Sequence, residues 1–201
     1  MNFRPILLLA CLLMFCTSCI KQGHYRYGGT FPNAQLPAIG KKIGVLDPRG
    51  PFGDGYARKT LHATFKRTFR KCEYTVVYTE DELNQMAQLP AIYGDHLSDD
   101  NLDWFVEHTD LDYLILTDVG PGRLNNDPSL VNLPSADREA SVLLIVYDLA
   151  DGGELKSITV TGTLNLEADK QIWELEASEK GMGNNALRKA MKGLGKFTDC
   201  R

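Results

Sequence analysis

Hydrophobic and polar positions along this chain follow two rhythms. Between Tyr56 and Lys71 the apolar residues Ala57, Leu61, Phe65 and Phe69 recur every four positions, a spacing that lays one stripe along an α-helix. Between Ile158 and Leu166 the period is two. Ile158, Val160, Gly162, Leu164 and Leu166 point one way and Thr159, Thr161, Thr163 and Asn165 the other, predicting a strand with one wet face.

Shorter signals fill in the rest. Ile43 to Leu46, closed by Asp47-Pro48, predicts a buried strand ended by a proline turn. Tyr74 to Tyr78 is β-branched and aromatic, so it predicts a second strand. Thr79 with Glu82 has capping-box spacing and predicts a short helix to about Leu89, stopped by Pro90. Ser98 opens another helix, whose Asp99, Asp100 and Asp103 are start charges and whose Leu102, Phe105 and Val106 form its apolar face. Tyr113 to Leu116 predicts a third strand and Val142 to Tyr147, apolar on both faces, a central one. Ala150-Asp151-Gly152-Gly153 predicts a hairpin turn into the alternating strand. Residues 167–180 predict a helix, and a last helix from about Asn185 places Leu187, Met191 and Leu194 on one face. The order is β-α-β-α-α-β and then a β-hairpin with C-terminal helices. It predicts an α/β (α+β) domain with a mixed sheet of about five strands, parallel among the first three and antiparallel for the last two.

The amino terminus has a different character. A single positive charge at Arg4, an unbroken apolar run from Ile6 to Phe15 and the small pair Thr17-Ser18 follow a secretory signal plan. The run is about half the ~20 residues of a membrane span, so an uncleaved anchor is the weaker reading. Cys16-Thr17-Ser18-Cys19 resembles a bacterial lipobox. The resemblance implies that Cys19 is diacylated and becomes the new amino terminus, and that Ile20, in place of Asp, favours the outer membrane. The alternative is a plain cleaved signal with Cys19 merely nearby. The expected layout is therefore a signal over 1–18, a lipid-anchored tether over 19–40 and one globular periplasmic domain over 41–201. Glycines, two prolines and no apolar period mark the tether, which reaches ~60 Å when extended. Of five cysteines, Cys72 and Cys200 then remain, a candidate disulfide pair in an oxidising compartment or else two free thiols.

Composition narrows the functions. With 201 residues, 43% of them hydrophobic, the chain can bury one good core and is not disordered. A formal charge of −4 makes non-specific nucleic-acid binding a poor expectation. Gly50 and Gly55 have Walker spacing, but Tyr56-Ala57 follow where Lys and Ser/Thr are needed, and the fingerprint begun by Gly53 and Gly55 fails at Arg58. No Ser lies in a Gly-x-Ser-x-Gly elbow, and of the four histidines His24 falls in the tether, His62 is expected as a solvated residue of the basic helix, and His96 and His108 flank a helix. No cofactor and no metal site is expected, and the chain is not expected to be an enzyme.

Two surfaces stand out. The first long helix carries Arg58, Lys59, Lys66, Arg67, Arg70 and Lys71 with no acid among them, either a face for anionic lipid or acidic protein or simply a solvated one. If the first and third strands are parallel neighbours, the loops 48–55 and 118–138 leave the sheet at the same carboxyl edge, where open α/β sheets bind ligands. That placement makes Arg49, Asp54, Tyr56, Asp118 and Arg123 the candidate ligand or partner site.

The element order resembles the periplasmic domain of the curli secretion lipoprotein, the lipoprotein activators of penicillin-binding proteins and the amino-terminal domain of the Tol translocation protein. Ile43-Gly44-Val45, Tyr56, Leu111-Asp112-Tyr113-Leu114-Ile115-Leu116, Val146-Tyr147-Asp148-Leu149, Asp151-Gly152-Gly153-Glu154-Leu155 and Thr161-Gly162 are similar to a family of small bacterial lipoproteins of unknown function. The resemblance spans about residues 43–166 and implies fold rather than chemistry. The expectation is a non-catalytic binding or accessory component of an envelope assembly. It would be held at the membrane by diacylglycerol and acyl chains at Cys19, would face the periplasm and would act on an envelope protein partner. A periplasmic hydrolase and a small-ligand carrier are the alternatives.

Overall fold

A mixed six-stranded sheet is covered by helices in the computed structural model, which describes residues 24–30, 35–122, 138–165 and 179–200. The strands are β1 (His24–Thr30), β2 (Lys42–Val45), β3 (Val76–Thr79), β4 (Tyr113–Pro121), β5 (Arg138–Asp148) and β6 (Gly153–Asn165). The helices are α1 (Gly55–Phe69), α2 (Glu80–Met86), α3 (Asp99–His108) and α4 (Glu179–Phe197). Across the sheet the order is β1-β6-β5-β4-β2-β3. β2 runs parallel to both β3 and β4, and the β4-β5, β5-β6 and β6-β1 pairs are antiparallel.

Strand alternation sorts side chains into two cores. Ile43 and Val45 of β2, Tyr113, Ile115 and Val119 of β4, and Val142, Leu144 and Val146 of β5 pack under α1 and α4. On α1 the predicted stripe is the buried one: Ala57, Leu61, Phe65 and Phe69 are all within 2% of full burial. Leu187, Met191 and Leu194 do the same for α4. The opposite face is packed by Leu83 of α2 and by Leu102 and Phe105 of α3 against Leu46, Leu114, Leu116 and Ile145. Removing Phe65 or Phe105 would cost about 3–5 kcal/mol each as the lost transfer energy and cavity add. Ser157 and Thr159 of β6 are exposed, so the wet face that the period of two predicts lies there.

Helix starts follow their sequence signals. Thr79 accepts from the Glu82 backbone N–H while the Glu82 carboxylate takes the Thr79 N–H at 2.7 Å, a reciprocal capping box at the head of α2. Backbone N–H donation from Thr79 holds the Glu82 carboxyl below its ordinary range. Ser98 caps α3 through the Asn101 N–H.

The tether differs from its expectation. His24–Thr30 is an edge strand pairing residue by residue with β6 from Asn165 back to Thr159, and Leu36 and Ala38 are buried. Ladder bonds use the backbone, so a Tyr- and Gly-rich segment without apolar period can still satisfy the open edge of β6. The domain therefore begins at least at His24 rather than at residue 41. β4 continues through Thr117, Asp118 and Gly120 to Pro121 because β5 pairs with it along that whole length. The helix expected over 167–180 lies outside the described residues up to 178, and α4 begins six residues before the expected start at Asn185.

α1 and α4 lie side by side in the same direction. Lys180 pairs with Asp54 at their starts, Arg188 reaches Tyr56, and Gly195 abuts Thr68 so closely that a Cβ there would come within 2.9 Å of its methyl. At the far end Cys72 and Cys200 form a disulfide, with their Cα atoms 4.7 Å apart. The carboxyl terminus is held there too, by Leu36 N–H donating to Phe197 O (2.6 Å) and Ala38 N–H to the Asp199 carboxylate (2.8 Å).

Candidate functional site

At the carboxyl edge of the sheet, parallel pairing of β2 with β4 brings residues 46–54 alongside the end of β4. Arg49 N–H donates to Thr117 O (2.7 Å), Val119 N–H to Arg49 O (2.9 Å) and Phe52 N–H to Val119 O (3.0 Å). The turn is tight. Gly50 has φ of +82°, and a Cβ there would lie 2.5 Å from the Asp118 carboxylate and 2.6 Å from Val119 O, so a left-handed residue without side chain is required. Among the loop glycines, this one answers to geometry rather than to phosphate.

Arg49, Asp54 and Tyr56 turn to different partners at this edge. Arg49 turns toward α2, where its guanidinium meets Glu80 at 2.9 and 3.1 Å, and Glu80 also accepts the Asp47 N–H at 2.7 Å. Asp54 caps α1 instead, accepting from the Tyr56 and Ala57 N–H groups at 3.0 Å, and pairs with Lys180. The Lys180 ammonium first, then the Ala57 N–H, holds the Asp54 carboxyl below its usual range. Tyr56 is 55% exposed and its hydroxyl accepts from Arg188 at 3.1 Å. Asp118 belongs to β4 and is only 8% exposed. Arg123 lies outside the described residues. Arg49 thus sits with α2 and Tyr56 with α4, because each finds a nearer partner than the other.

Beside this edge runs a network that sequence reading did not anticipate. Asp47 faces Arg58 Nε at 3.0 Å and His62 Nε2 at 3.0 Å, while Arg58 also pairs with Asp81. His62, expected as a solvated residue, is largely covered, with a side chain 18% exposed. Arg58 and Lys66 leave the basic face of α1 for acids of the neighbouring loop and α2, Lys66 standing 3.6 Å from Glu82. These are pairs of opposite charge tying α1 to α2, and none leaves a nucleophile facing a base. Among the described residues, no group of three or more His, Cys, Asp or Glu side chains could hold a metal.

Lys59 and Arg67 of α1, with Lys71 just past its end, meet the cations of α4. Between the two helices is an open groove of about 1000 Å³, with Lys59, Arg67 and Lys71 on one wall and Arg188, Lys192 and Lys196 on the other. Thr60, Ala63, Thr64, Thr68, Gly195 and Cys200 line the rest of it. No acid lines it. The α1 row was legible as a basic face; the α4 row was equally available in the spacing of four between Arg188, Lys192 and Lys196. What sequence alone lacks is that the two rows face each other, which follows from the parallel packing of α1 and α4.

No helix among the described residues is long and apolar enough to cross a membrane. No protein-family model matches the chain, and no curated protein matches it. Solved structures do. A PelC dodecamer from Paraburkholderia phytofirmans is similar at 14% identity and a TM-score of 0.43, covering 85% of this chain and 97% of that one. Lipoprotein GNA1162 from Neisseria meningitidis is similar at 14% identity and a TM-score of 0.39, covering 67% of this chain and 86% of that one. A DUF330 protein from Xanthomonas campestris is similar at 14% identity and a TM-score of 0.38, covering 83% and 89%. At these levels the likenesses carry no argument about what this chain does.

Proposed function

We propose that this chain is a lipid-anchored, non-catalytic accessory domain of the bacterial cell envelope, fastened through Cys19 with the carboxyl edge of its sheet turned to the membrane. The observation that carries the reading is where β1 starts. His24 pairs with Asn165, beside Arg138 and Pro121 at that edge. Only residues 20–23 separate it from Cys19, so the lipidated cysteine would stand no more than about 18 Å from the sheet. A signal-type segment followed at once by an edge strand suits a domain held close to a surface better than one swinging on a long tether. Acyl chains at one cysteine supply stable anchoring where a single chain is marginal. Non-catalytic action is supported by the edge charges, which neutralise one another in pairs.

The test has two parts. Metabolic labelling with an alkyne fatty acid should mark the wild-type chain and leave Cys19→Ala unlabelled and released to the soluble fraction. Photo-cross-linkers at Tyr56 should capture lipid or an envelope protein in the wild-type chain, and those at Lys71 on the opposite edge should capture far less lipid. An unlabelled wild-type chain, or equal lipid capture from both positions, would overturn the reading.

A further inference from the structure

We infer that the groove between α1 and α4 is a binding site for a soluble anion carrying several phosphate groups. Six cations line it, Lys59 and Arg67 from α1, Lys71 just past its end, and Arg188, Lys192 and Lys196 from α4, and no acid does. All six are exposed, and among the described residues none of Lys59, Arg67, Lys71, Lys192 and Lys196 has an acidic partner, whereas Arg58 and Lys66 just outside the groove do. Like charges facing across a groove repel, so the arrangement holds a potential that a bound anion would relieve. The α4 row repeats every four residues and spans about 12 Å from Arg188 to Lys196, matching a short chain of linked phosphates.

The rest of the lining decides the class of ligand. A docking protein helix would need large apolar residues to rest on, yet Thr60, Ala63, Thr64, Thr68, Gly195 and Cys200 are small, three of them hydroxylated. Hydroxyl and ammonium donors around one concavity suit oxyanions with high charge for their volume. Concavity decides the source. A bilayer presents headgroups in a plane, which touches the two rims and leaves the interior empty, whereas a soluble polyphosphate enters and meets both walls. The groove also needs no ligand to set its width. Asp54 with Lys180 at one end, the Gly195–Thr68 contact and the Cys72–Cys200 disulfide at the other already fix α1 against α4, so little ordering is lost on binding.

The experiment is titration calorimetry of the full chain in neutral-detergent micelles at low salt, with inorganic tripolyphosphate as the probe. Binding should weaken about tenfold in Lys192→Glu and change less than about twofold in Lys156→Glu, which alters net charge equally from β6. Polyglutamate of equal charge should bind at least about tenfold more weakly than tripolyphosphate, and phosphatidylglycerol in the micelles should not compete. A second measurement needs no variant: tripolyphosphate should protect Lys59, Lys71, Lys192 and Lys196 from acetylation and leave Lys156 unprotected. The inference is overturned by absence of binding, by equal losses in the two variants, by polyglutamate binding as well as tripolyphosphate, by effective competition from phosphatidylglycerol, or by uniform acetylation.

Discussion

Cys72 and Cys200 close a loop of 128 residues, and the size of that loop sets what breaking the bond should do. In the chain-entropy description, a cross-link of this length removes about 5 kcal/mol worth of conformational freedom from the unfolded chain at 25 °C. The native state should change little on reduction. Leu36 still bonds Phe197, and Ala38 still bonds Asp199. Urea unfolding followed by circular dichroism, with and without reductant, should therefore show a loss of about 3–5 kcal/mol. For a domain of this size that corresponds to a fall in Tm of about 6–20 °C. The slope against urea should steepen, because the reduced unfolded chain expands and exposes more surface. The Cys72→Ser/Cys200→Ser variant should match the reduced wild type. A loss below about 1 kcal/mol with unchanged slope would refute the reasoning, since it would mean that the unfolded chain is already as restricted without the bond.

Gly50→Ala combines a left-handed backbone with a Cβ inside contact distance of Val119 O, so it should cost at least about 1–2 kcal/mol in urea unfolding. Asp54→Ala removes the N-cap of α1 and should cost about 1 kcal/mol, while Asp54→Asn should recover most of it. For Asp112, burial disfavours ionisation, but hydrogen bonds from Lys41 Nζ and Lys42 N–H, both at 2.8 Å, outweigh it and lower the pKa. Its folded value lies below the unfolded value near ~3.9, so the stabilisation is present above that pH and is lost as pH falls through the folded pKa. Asp112→Asn should accordingly flatten the acid limb of a stability-versus-pH curve below about pH 4 and leave its slope near neutrality unchanged.

Most of the layered fold was legible because its buried faces repeat. Ala57, Leu61, Phe65 and Phe69 announce α1, and Thr79 with Glu82 announces α2. Elements held by backbone pairing were less visible. β1 has no periodic apolar face, only an edge of β6 to bond to, and the far half of β4 looks like a turn because Asp118, Gly120 and Pro121 are unusual in a strand paired along its length. Arg49, Asp54 and Tyr56 lie near the carboxyl edge, since strand order fixes it, but their partners Glu80, Lys180 and Arg188 come from elements distant in sequence. Side-chain direction at the edge depends on those partners. The groove had the same obstacle: each basic row is local, but their juxtaposition is a property of helix packing.

The sites where the chain closes on itself also govern the order in which it can become a protein. β1 needs β6, Leu36 pairs with Thr198, and the bond between Ala38 and Asp199 joins residues 161 apart. Contacts of that span form slowly and only once both partners exist. A ribosome must therefore release almost the entire polypeptide before the first strand has a sheet to join or Leu36 a terminus to cover it. Until then the amino-terminal third is an incomplete layer with exposed apolar side chains and a poor folder. Completion waits for the last twenty or so residues, so truncation near the carboxyl terminus would disable the beginning of the chain as surely as its end.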